Sequence, residues 1–202
     1  MRLKSESFGN GAVIPGEFCF AVIAPKSHTA PGKNRNPHLA WSDAPAGAKS
    51  FALICHDPDV PSRFDEANKE GRKIPASLPR VNFYHWLLWD IPASTREIAA
   101  GSQSDGITPH GKNGPEAPGG MRHGINNYSG REKKHYGYDG PCPPWNDSII
   151  HHYHFTIYAL DVERLDVKGE PTAENVKAAL KGHVLGEASV MGTYSLNPAV
   201  SG

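Results

Sequence analysis

The sequence predicts a mainly β protein, on three observations. Eighteen prolines and 21 glycines punctuate the chain too often for long helices. The apolar runs between them are short and rich in aromatic and branched residues. The run over residues 152–160 alternates: Tyr153, Phe155, Ile157 and Ala159 share one face and His152, His154, Thr156 and Tyr158 the other, which is the two-residue period of a half-buried strand.

In chain order, strands are expected over residues 18–23, 51–56, 83–91 and 152–160, each closed by Pro, Asp or Gly at one or both ends. One helix follows. Thr172 is placed to cap it, Val176, Ala179 and Leu180 form its apolar stripe, and Gly182 stands where a helix commonly stops. Two long segments, 62–80 and 101–134, lack periodicity and read as functional or mobile loops.

A chain of 202 residues is long enough to bury one sizeable core, and no linker or charge run divides it, so a single domain over 1–202 is expected. Lys plus Arg and Asp plus Glu both number 21, which provides no global field for nucleic acid or an anionic membrane. Any anion site is therefore local. Eleven histidines make surface charge sensitive to pH between roughly 5 and 8. No apolar run follows the first six residues and none reaches about 18 residues, so neither a signal peptide nor a span is indicated and the expected compartment is the cytoplasm. Cys19, Cys55 and Cys142 are odd in number and lack ligand spacing, so they read as free thiols.

Three segments carry chemistry. Asp57-Pro58-Asp59-Val60-Pro61 follows an apolar run; its prolines are expected to end that strand abruptly, holding two carboxylates at its edge or simply forming an Asp-Pro turn. His85 and Trp86 lie inside the apolar run 83–91, where an imidazole needs a carboxylate or carbonyl partner because an unpaired buried polar group costs roughly 1 to 3 kcal/mol. Residues 136–144, Tyr-Gly-Tyr-Asp-Gly-Pro-Cys-Pro-Pro, form a rigid loop that leads through 145–150 to His151, His152, Tyr153 and His154. Rigidity and hydrogen-bond donors suit an anion. Four histidines and two aspartates also raise a metal reading, but no HExxH or comparable ligand pair occurs, so no metal and no cofactor are assigned.

Taken in order, Asn36-Pro-His-Leu-Ala-Trp41, Pro45-Ala-Gly, Lys49-Ser-Phe-Ala-Leu, Asp57–Pro61, His85-Trp86, the 137–144 loop, His151 and Tyr153 resemble the phosphatidylethanolamine-binding protein family in its bacterial, Raf-kinase-inhibitor-like branch. The resemblance implies antiparallel Greek-key sheets in a β-sandwich with a few short peripheral helices, and a small pocket for phosphate or another anion. Carried over by motif, it assigns Asp57, His85, His151 and Tyr153 to the pocket, with Pro143 and Pro144 in its wall. Trp86 and Tyr136 are expected as apolar side walls. The family's Gly-Arg-Asn-Asp-Tyr-Gly segment is matched ambiguously by residues 124–128 and 133–137. Asp57 is expected beside His85, favouring an imidazolium that faces the anion.

The leading functional expectation is a non-catalytic binding or regulatory protein for a small anion, phosphate or phosphoethanolamine-like, because no nucleophile lies within the matched set. The alternatives are a protease or kinase inhibitor acting through the two long loops, and a hydrolase using Asp57 and His85 as a base pair. A homodimer through exposed aromatic residues near Trp41 or Trp145 is a further expectation. Arg63, Arg72, Lys73 and Arg80 are expected to place a basic segment beside the pocket mouth.

Overall fold

The computed structural model describes residues 1–130 and 133–200. Residues 131 and 132, within the long segment 101–134, lie outside the described residues. The architecture is mainly β. Four long strands, β5 (Ser50–Pro61), β6 (Arg80–Pro92), β9 (His151–Leu160) and β10 (Val184–Tyr194), join the short β8 (Arg122–His123) in an antiparallel sheet of order β10-β9-β5-β6-β8. A second sheet of order β1-β4-β7 is built from β1 (Arg2–Lys4), β4 (Leu39–Ser42) and β7 (Glu97–Ile98). Residues of β2 (Ala21–Ala24) and β3 (His28–Pro31) form a separate hairpin.

Strand alternation divides the apolar side chains between two cores. Phe51, Leu53 and Cys55 of β5, Trp86 and Leu88 of β6 and Tyr153, Phe155 and Ile157 of β9 point inward, where they meet Leu39, Trp41 and Ile98 of the smaller sheet. Ala52, Ile54, Leu87 and Trp89 point the other way, under Val176 and Leu180 of helix α1 (Ala173–Leu180). The Thr172 hydroxyl accepts from the Asn175 amide, so the expected cap is in place. Among the described residues no helix is long and apolar enough to cross a membrane.

Several expectations are corrected. Phe18 lies not in a strand but in a short 3-10 turn, Gly16–Phe18, and the strand begins at Ala21. The Asp57–Pro61 segment does not end β5; the strand runs through it with register shifts at Cys55/His56 and Asp57/Val60. Pairing of β5 with β9 stops at His56, so beyond that residue β5 is an edge strand, where proline's missing N–H leaves no ladder bond unmade. The last strand, β10, has little sequence signal because two glycines interrupt it. Both serve close packing: a Cβ on Gly192 would stand 2.5 Å from the Ile14 side chain, and one on Gly186 2.9 Å from Pro45.

The 62–80 segment is tied to residues 145–148, with Asn146 making several of the bonds. Asn146 Nδ2 donates to the Glu66 and Arg72 carbonyls, and its Oδ1 accepts from the Asn68 amide. Trp41 is 4% exposed and packs edge-on against Phe51, so it is no exposed interface residue, while Trp145 is half-buried and stacks on His28.

Candidate functional site

Where β5, β6 and β9 leave the inner core, a cavity of about 300 Å³ opens between the strand ends and the 140–144 loop. Asp57 and Val60 come from β5, Phe83 and His85 from β6, His151 and Tyr153 from β9, Asn127 and Tyr128 from the segment after β8, and Cys142, Pro143 and Pro144 from the loop. Phe64 reaches in from the 62–80 segment. The structure thus brings together Asp57, His85, His151, Tyr153, Pro143 and Pro144. Trp86 and Tyr136 stand elsewhere: Trp86 faces the inner core and its indole N–H donates to His123 Nδ1 (3.3 Å), and Tyr136 packs over Gly114. Tyr128 takes the aromatic position, with its ring edge-on to both Phe83 (5.2 Å between centroids) and His85 (5.6 Å).

The charge arrangement also differs from the expected Asp57–His85 pair. Asp57 partners His151: the Nδ1–H of His151 donates to Asp57 Oδ2 at 2.7 Å, while Asp57 Oδ1 accepts the Asp59 amide at 2.7 Å. On its far side the His151 Nε2–H donates to Asp147 Oδ2 at 3.2 Å. Asp147 is in turn gripped by both terminal nitrogens of Arg80, at 2.6 and 3.0 Å. Burial alone opposes a charge on His151. Its hydrogen bonds and Coulomb attraction to Asp147 and Asp57 outweigh that penalty and raise it to about 9, so the buried group is an imidazolium. Burial likewise opposes ionisation of Asp147, and His151 and Arg80 reverse the balance, leaving its carboxyl below the usual range. Two cations therefore face two carboxylates, and Arg80 is spent inside this chain of charges rather than offered at the mouth.

His85 is held differently. Its Nδ1–H donates to the Asp139 carbonyl at 2.7 Å, and burial, the largest influence, moves its pKa down. The neutral ring then presents a bare Nε2. Among the described residues neither His85 Nε2 nor the Tyr153 hydroxyl has a protein partner, and neither is sealed from solvent, so both open on the cavity. Sequence reasoning missed Asp139, which holds the far wall. Its carboxylate accepts from Asn34 Nδ2 and Asn126 Nδ2 (both 2.8 Å) and from Lys112 Nζ (2.5 Å). Asp147 was missed as well; its place four residues before His151 is a signal only once both are known to turn inward. Among the described residues no three His, Cys, Asp or Glu side chains stand together as a metal site.

Residues 4–195 match the family described as phosphatidylethanolamine-binding protein. The chain is 30% identical over 195 residues to the UPF0098 protein YbhB of Escherichia coli, covering 96% of this chain and all of that one. It is 33% identical over 196 residues to a UPF0098 protein of Aquifex aeolicus, covering 96% of this chain and 88% of the relative. Among solved structures it is similar to E. coli YbcL, described as a member of the mammalian PEBP family, with a TM-score of 0.70 and 25% identity over 96% of this chain and 97% of that one.

Proposed function

We propose that this chain, which belongs to the phosphatidylethanolamine-binding protein family, receives a small phosphate-like anion in the cavity between β5, β6, β9 and the 140–144 loop. The family makes it a binding or regulatory protein; the anion is our reading of the cavity. One observation carries it: the Tyr153 hydroxyl and His85 Nε2, both on nearly buried residues, open on the same small space without protein partners. Buried polar atoms in a concave site are arranged for a ligand's polar atoms.

The groups define what fits. The Tyr153 O–H donates to an anion oxygen. His85 Nε2 does so only when protonated, so binding takes up a proton. Asp57, already balanced by His151, accepts from an acidic P–OH, which favours the monoanion of a phosphate or phosphomonoester. Phe83, Tyr128, Pro143, Pro144 and Val60 surround these groups with apolar surface that strengthens them by excluding water. We read the role as non-catalytic. Asp57 and His85 are not hydrogen-bonded to each other, and among the described residues no base is hydrogen-bonded to the Cys142 thiol to activate it.

Calorimetric titration with inorganic phosphate and phosphoethanolamine at pH 6 and pH 8 tests this. Binding is expected to be tighter at pH 6, by up to about tenfold per pH unit for one linked proton. Tyr153→Phe and His85→Ala should each weaken it, and His85→Ala should also reduce the pH dependence to that of the ligand's own second ionisation. Equal affinity in wild type and both variants, or no binding of either compound, overturns the proposal.

A further inference from the structure

The opposite face of the same sheet carries imidazole, thioether and phenol side chains that the cavity does not use. Register aligns Tyr84 of β6, His56 of β5, His154 of β9 and Met191 of β10 in one row, each directly opposite the next. Directly opposed residues of antiparallel strands project to the same side with Cβ atoms about 4.5–5.5 Å apart. The His56 and His154 rings lie with centroids 5.3 Å apart and planes 25° apart, and the Tyr84 ring is 5.9 Å from His56. All four residues are half-buried. The neighbouring histidines are engaged: His152 Nδ1 meets Asp59 Oδ2 at 2.7 Å, and His183 Nδ1 meets Asp161 Oδ1 at 2.9 Å. Among the described residues the His56 and His154 rings make no hydrogen bond, so their ring nitrogens are available.

We propose that His56 and His154 form a site for a copper(I) ion, with the Met191 thioether as third donor. Two imidazoles on facing strand positions need only rotate about χ2 to bring two nitrogens within about 2.0–2.1 Å of one ion, the usual imidazole bond length. Thioether and imidazole donors without a carboxylate select a soft ion over zinc or magnesium. The local charge works against a highly charged ion. Lys177 of α1 donates to the Tyr84 hydroxyl at 3.1 Å and lies 5.6 Å from its ring centroid, which places a cation at one end of the row. A monovalent ion suffers half the repulsion of a divalent one. The site lies on the other face from the anion cavity and stands or falls independently of it.

The test is anaerobic competition of copper(I) against a chromophoric chelator, in a Cys142→Ser background so that this exposed thiol does not compete. One equivalent should bind. His56→Ala and His154→Ala should each weaken it about tenfold or more, since loss of even an outer-shell partner costs that much at metal sites. Met191→Leu should weaken copper(I) several-fold and leave zinc(II) unchanged, and Lys177→Glu should tighten both. His152→Ala and His183→Ala should have no effect. Absence of one-equivalent binding, or affinity unchanged in His154→Ala, overturns the proposal; an unchanged copper(I) affinity in Met191→Leu overturns the thioether assignment. Circular dichroism verifies folding, and His154→Gln, which keeps the side-chain size, replaces any alanine variant that fails to fold.

Discussion

The two faces of β9 carry nearly the same residues to opposite ends. His151 and Tyr153 turn inward, are 0% and 1% exposed, and join a charge chain that reaches Asp57, Asp147 and Arg80. His152 and His154 turn outward and stay half-buried, and the His152 ring hydrogen-bonds Asp59, the two side chains remaining 44% and 23% exposed. Four consecutive residues thus supply two unlike environments. Where water is excluded, a charge must be paired and its partner fixed; where water reaches it, pairing changes little. The same imidazole is therefore a buried cation at 151 and a solvated side chain at 152.

The strongest way to break this contrast is Asp147→Ala. It leaves His151 and Arg80 with one carboxylate fewer in a water-excluded space, and removing one partner of a buried pair costs about 3–5 kcal/mol. Urea denaturation should show that loss as a lower midpoint at pH 7. A cost below about 1 kcal/mol would mean that water reaches the chain of charges and that the two faces do not differ.

A somewhat smaller effect follows from pH. His151 is raised from 6.5 to about 9, so its folded pKa exceeds its unfolded one. Its stabilising contribution is fully present below about pH 6.5 and is lost as pH rises through about 9. The loss is on the order of 3 kcal/mol at 1.36 kcal/mol per pKa unit. Stability measured from pH 6 to pH 10 should fall in the wild type, and the part due to this group should vanish in His151→Gln. An identical slope in both proteins would assign the charge elsewhere.

The smallest effect is expected on the outer face. His152→Ala removes a part-exposed pair and should change stability by no more than about 0.5 kcal/mol, with the urea midpoint almost unmoved at pH 7. A loss comparable to that of Asp147→Ala would erase the distinction between the faces.

How much of this was legible in the sequence depends on the range of the interaction. The alternation over 152–160 is local, and it correctly divided Tyr153, Phe155, Ile157 and Ala159 from the residues facing outward. The order of motifs placed six cavity residues together. Trp86 and Tyr136 were misplaced because a rigid loop and an aromatic residue beside a motif do not say which ring turns inward; Tyr128 does so through packing against Phe83 and His85. Strand β10 escaped notice because its glycines make sense only beside Ile14 and Pro45.

The sequence by itself determined the β class, the capped helix and the set of polar groups brought to the strand ends, because these rest on period, caps and order along the chain. Only the tertiary structure decided their pairing. Asp57 meets His151 across 94 residues rather than His85, and His85 turns instead to the Asp139 carbonyl 54 residues away. Such choices follow from register and burial: β5 and β9 set which side chains meet, and exclusion of water sets which of them remain charged.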